Sequence, residues 1–166
     1  MKIHIDEGRC VLKVVEVLKK ALRGQVKVFC LGNKLRKDDG VGSYVAEKLS
    51  DLGELVIDAE LSLENYAREI SQVDTALLID AVNFGSEPGD LLICELSEAK
   101  EDLFSFLIFP THRMPLYLLR RVSRETDLVL AGVQPADTDF GTGLSNRVRM
   151  GADVLVEAIR RVLAVR

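Results

Sequence analysis

Asp38, Asp39, Asp80 and His112 are the side chains whose types and positions suit chemistry. Two carboxylates and an imidazole that converge can supply three ligands to a divalent metal and leave one coordination position open, as hydrolytic sites require. The mixture of oxygen and nitrogen donors suits zinc, nickel or manganese. Each residue alone also has a plainer use. Asp38 or Asp39 can cap a helix, where a carboxylate accepts amide hydrogen bonds and meets the positive end of the dipole. Asp80 precedes the turn formers Asn83, Gly85, Ser86, Pro88 and Gly89 and can open an Asx turn. His112 can be a cap or a satisfied, partly buried imidazole. The set is more informative than its members, because loops at the carboxyl ends of strands are where open α/β sheets gather their ligands.

The elements that must position these residues can be read from hydrophobic periodicity. Val11, Leu12, Val14, Val15, Val17, Leu18, Ala21 and Leu22 recur at helical spacing, and Gly24 ends that helix. The apolar run through Val26, Val28, Phe29, Cys30 and Leu31 reads as a buried strand, broken by Gly32 and Asn33. A loop to Lys37 then leads into a helix over Asp38 to Leu49. A strand over Leu55 to Ile57, a helix over Leu63 to Ile70 and a strand over Ala76 to Ile79 follow, the last ending at Asp80.

From Asp80 the pattern changes. The strand over Asp90 to Cys94 returns after too short a gap for a crossover helix, so it is expected to run antiparallel. A charged helical piece at Ser97 to Asp102, an apolar run at Phe104 to Phe109 and a helix opened by Pro110, Thr111 and His112 and reaching Val122 come next. Leu128 to Val133 is the last strand and Val148 to Val165 the closing amphipathic helix. The alternation of strand and helix predicts an α/β sandwich.

With 166 residues and 48% hydrophobic composition, the chain fits one domain over 1–166, its first 25 residues forming an N-terminal helical extension. A net charge of -4 argues against the clustered basic face that nucleic acid needs. No stretch reaches membrane-spanning length, and the charged N-terminus lacks the pattern of a signal peptide. Cys10, Cys30 and Cys94 form no Cys-x-x-Cys pair, which disfavours a disulfide framework or a cysteine zinc site and points to reduced cytoplasm. Neither a Gly-x-Ser-x-Gly elbow nor a His-Glu-x-x-His helix is present. The Gly32 to Gly42 loop imitates a phosphate cradle, but its two aspartates would repel an anion and neither nucleotide-binding glycine signature is matched.

These segments resemble, in order, the signatures of the hydrogenase maturation endopeptidases. Gly32-Asn33-Lys34-Leu35-Arg36-Lys37-Asp38-Asp39-Gly40-Val41-Gly42 resembles their opening motif, and Ile79-Asp80-Ala81 with Glu87-Pro88-Gly89-Asp90 their second. Thr111-His112 with Pro115-Leu116 is similar to their histidine segment, and Gly132-Val133-Gln134-Pro135 to their last-strand motif. Leu63-Glu64-Asn65-Tyr66 resembles a segment of archaeal-type members. The resemblance implies a three-layer α/β sandwich around a twisted, mostly parallel five-stranded sheet with one antiparallel strand. It places the family's metal ligands on Asp39, Asp80 and His112, with Asp38 the weaker candidate. It implies removal of a C-terminal extension from the precursor of a nickel-iron hydrogenase large subunit, with the precursor's nickel as recognition element. A non-cleaving chaperone of hydrogenase assembly is the main rival, and a nucleotide-binding protein the second.

Overall fold

A computed structural model of the chain describes residues 1–5, 10–96 and 125–164. Its centre is a six-stranded sheet in the order β1-β5-β6-β4-β2-β3. The strands are β1 (Lys2–Ile3), β2 (Val26–Leu31), β3 (Val56–Glu60), β4 (Thr75–Ala81), β5 (Leu91–Glu95) and β6 (Asp127–Val133). β2, β3, β4 and β6 pair in parallel, whereas β5 runs antiparallel to both β6 and β1. All five expected strands are therefore present, with the expected single reversal. The sixth, β1, spans only two residues and carries no periodicity by which a sequence reading could find it.

Why these segments are strands is visible in their burial. Every residue of β4 is buried, as are five of six in β2, so these central strands are apolar runs rather than alternations. Successive side chains still point to opposite faces. Val28, Cys30, Leu77, Ile79, Val129 and Ala131 join a core with helices α1 (Cys10–Ala21) and α2 (Val41–Lys48) and the closing helix, here α4 (Asn146–Leu163). Phe29, Leu31, Ala76, Leu78, Leu128 and Leu130 form a second core on the other face, with Leu63 and with Ile70 from the short helix α3 (Ala67–Ile70). Helical layers thus cover both faces of the sheet. α1 is no appendage: Val14 and Leu18 are fully buried, and the helix packs along α4.

Two expected helices are resolved more finely. The segment from Asp38 to Leu49 begins as a 3-10 turn over Lys37–Gly40 and becomes α-helical only at Val41. Residues 63–70 likewise start as a 3-10 turn over Leu63–Tyr66 before α3. The expected pieces over Ser97 to Asp102, Phe104 to Phe109 and Pro110 to Val122 lie outside the described residues.

The strand order places the site. From β2 the chain crosses outward to β3, then returns to lay β4 on the other side of β2. The connections leaving β2 and β4 therefore part in opposite directions, which opens a crevice at their carboxyl ends. Asp39 follows β2 and Asp80 lies near the end of β4.

Candidate active site

The Lys37–Gly40 turn packs against β4 and carries two buried carboxylates, Asp38 and Asp39, with 0% and 1% of their surfaces exposed. The glycines of this segment explain how the chain gets there. Gly32 leaves β2 at φ +133°, and a Cβ at that position would lie 1.8 Å from the Asp39 carbonyl oxygen. At Gly42 a Cβ would lie 2.0 Å from the Leu31 carbonyl oxygen, so the first turn of α2 rests directly on the backbone of β2. Only hydrogen fits at either place.

The adjacent aspartates have different environments. Asp39 accepts the Asn33 backbone N–H at 3.1 Å, which ties its carboxylate to the break after β2. Asp38 points toward the segment after β6. Its carboxylate accepts the N–H groups of Ala136 and Asp137, both at 2.9 Å, and of Ser145 at 2.6 Å, and the Ser145 hydroxyl at 3.1 Å. Neither caps α2, whose N-cap is Gly40 and has no side-chain cap bond. The capping role weighed for the pair is thus corrected: Asp38 anchors a distant loop and the N-cap residue of α4.

Asp80 is 1% exposed and its Oδ1 accepts the N–H of Ala81 at 2.8 Å. It belongs to β4 rather than opening an Asx turn; that geometry falls at Asn83, whose Oδ1 accepts the N–H of Gly85 at 3.3 Å. The loop after Asp80 is held from β6. Gln134 Oε1 accepts the N–H groups of Phe84 at 2.9 Å and Ser86 at 3.3 Å, which gives the glutamine of the last-strand motif a structural task.

Asp90, the acid of the second motif, is also engaged. It accepts His4 Nδ1 at 2.6 Å, the N–H of Ile5 at 3.0 Å and the Ser86 hydroxyl at 2.5 Å. Burial by itself raises its pKa, but the hydrogen bonds from Ser86, Ile5 and His4 outweigh burial and hold it below the usual value.

The described residues therefore bring Asp39 and Asp80 to the carboxyl ends of adjacent strands. His112 lies outside the described residues. Among the described residues, no group of three or more His, Cys, Asp or Glu side chains is arranged to hold a metal ion. Two buried carboxylates suit a hard or borderline divalent cation as partial ligands, with further donors needed to complete a shell. Cys30 and Cys94 offer no competing nucleophile. Burial, and then the nearby Asp58, push the Cys30 thiol far up, and burial pushes Cys94 to about 11, so both stay protonated at neutral pH.

Ser145 was not singled out by sequence reasoning. A serine just ahead of an amphipathic helix was the available signal. Its hydroxyl is spent on Asp38 rather than on its own helix, an arrangement that no local pattern reveals.

Fold and carboxylates together define an α/β protein with an acidic crevice at its strand switch. Residues 43–162 match the HycI family model, described as hydrogenase maturation protease, and the chain belongs to that family of peptide-bond hydrolases. Asp80 and His112 fall inside the matched span, Asp38 and Asp39 just ahead of it. The hydrogenase 3 maturation protease of Escherichia coli K12 is 25% identical over 139 residues, covering 80% of this chain and 86% of that one. The [NiFe] hydrogenase maturation protease HycI from Thermococcus kodakarensis is 27% identical in a superposition covering 89% of this chain and 99% of that one, with a TM-score of 0.73. The endopeptidase HycI from Escherichia coli is 26% identical, covering 80% and 87%, with a TM-score of 0.68.

Proposed function

We propose that the chain removes the C-terminal extension from the precursor of a nickel-iron hydrogenase large subunit, and that it reads the precursor's nickel before cutting. The observation carrying this reading is the pair of buried carboxylates at the switch point between β2 and β4, in a chain of the maturation protease family. Asp39, Asp80 and His112 are the proposed ligands. They would take up open positions on nickel already held by cysteine thiolates of the precursor, so that the scissile bond is placed beside the site.

For hydrolysis, water adds to the scissile carbonyl carbon and gives a proton to Asp39 or Asp80; the leaving amide nitrogen takes a proton as the C–N bond breaks. Either carboxylate has the oxygen lone pairs to take that proton and return it to the departing nitrogen. The nickel belongs to the substrate precursor, and a divalent surrogate can occupy the same ligands in its place. Three free thiols support a cytoplasmic location, where the precursor would be loaded and trimmed.

The test mixes the protein with large-subunit precursor, with and without nickel, and follows the precursor's mass. Nickel-dependent loss of a C-terminal peptide, abolished by His112→Ala and Asp39→Asn, supports the reading. Nickel-dependent binding without any mass change would replace it with the non-cleaving chaperone.

A further inference from the structure

Two loops at the carboxyl edge of the sheet are tied to each other. One, residues 33–37, leaves β2; the other, residues 136–145, leaves β6; these strands flank β4. Lys37 N–H donates to Gly141 O at 3.0 Å, and Gly141 N–H donates to Leu35 O at 3.0 Å. Arg36 Nε donates to Thr138 O at 3.2 Å, Asp38 N–H donates to Asp137 O at 3.1 Å, and the Lys37 ammonium meets Asp137 at 2.5 Å. Beneath them lies the Asp38 carboxylate with its four donors.

What this clasp displays is apolar. Leu35 is 65% exposed and Phe140 is 80% exposed, and the Arg36 guanidinium sits 4.8 Å from the centre of the Phe140 ring. Fixing an aromatic ring in water gains little for the free protein, since most of its surface stays hydrated. A preorganised aromatic backed by arginine is, however, the composition from which protein interfaces draw most of their affinity. Beside the clasp opens a cavity of about 150 Å³, lined by Lys34, Lys37, Tyr44, Glu47, Gly143 and Leu144, which gives the rim a concave neighbour for an extended segment. Asp39 and Asp80 are each 1% exposed, so beyond the metal they would ligate, the body of a protein substrate has to rest on residues around them.

We propose that this clasped rim is where the folded body of the precursor seats, with Leu35 and Phe140 as the apolar contacts and Arg36 setting the ring's orientation. The inference rests on the proposed function: a protein substrate whose cleavage point must reach the ends of β2 and β4 has to lie against the loops that border them. The partner surface is accordingly an apolar patch on the precursor that covers the exposed face of the Phe140 ring and leaves the ring's edge at the rim.

Steady-state processing of nickel-loaded precursor tests this with Phe140→Ala, the double variant Leu35→Ser with Phe140→Ala, and Phe140→Tyr. Leu12→Ser, which removes an equally exposed leucine from α1, is the control. Phe140→Ala should raise KM about tenfold and the double variant more, while Phe140→Tyr and Leu12→Ser stay within about twofold of the parent. A parent that processes the precursor and a Phe140→Ala variant with unchanged KM would overturn the rim and leave the function intact. Loss of affinity in Phe140→Tyr as severe as in Phe140→Ala would also overturn it, because the ring is retained. A parent that does not process the precursor removes the functional reading, and the rim with it.

Discussion

Neighbouring aspartates in one turn have separate tasks. Asp38 satisfies three backbone N–H groups and a hydroxyl from a segment about a hundred residues away, whereas Asp39 accepts the Asn33 N–H of its own loop. Asp38→Ala leaves those buried donors unpaired and should lower stability by about 3 kcal/mol, measured by urea unfolding. Asp39→Asn keeps the size and an acceptor, so it should fold with little loss yet process precursor at least about 100-fold more slowly. Asp90 predicts a pH dependence. Its pKa is lowered in the folded state, so its contribution is present above the unfolded value and is lost as pH falls through the folded one. Thermal unfolding from pH 7 down to pH 2 should show Asp90→Asn less stable than the parent at neutrality, the gap closing at the acid end.

At the scale of elements, most of the described fold was legible because central strands of a parallel sheet are short apolar runs. Val26–Leu31 and Thr75–Ala81 follow that rule. What escaped was long-range. The capping use weighed for Asp38 and Asp39 rests on a local rule, whereas the bonds Asp38 makes reach the loop after β6 and Asp39 accepts from Asn33 at the break after β2. The start of α4 was placed at Val148 by hydrophobic spacing, whereas the helix begins at Asn146, since its first residues are polar. The candidate site was legible in part: Asp39 and Asp80 come to adjacent strand ends as expected, while Gln134 and Ser145 work through bonds that no spacing encodes. Close approach is also an element-scale property. Gly42→Ala drives a methyl into the Leu31 carbonyl and should cost about 2 kcal/mol as α2 lifts from β2, read as a fall in melting temperature.

Taken as a whole molecule, the chain uses its first residues structurally. The helix expected as an extension supplies Val14, Val15 and Leu18 to the core beneath the sheet, against α4. Leu18→Ala should therefore cost about 3 kcal/mol in chemical denaturation, as a core truncation does, rather than the small loss of a surface change. If α1 were only a handle for a partner, that substitution would be silent in the isolated protein.

The two-residue strand β1 has a consequence for the life of the protein at high concentration. It covers the outer backbone of β5, pairing Lys2 with Leu92 and Ile3 with Leu91, and Ile93 N–H donates to Met1 O at 2.9 Å. Unpaired, β5 would present Leu91, Leu92 and Ile93 on a free margin, a template on which a second chain could grow a continuous ribbon. Because the residues next to β1 are fastened by Asp90 through His4 and Ile5, acid would loosen the cover and unfasten the margin together. The short strand is in this sense a seal against polymerisation.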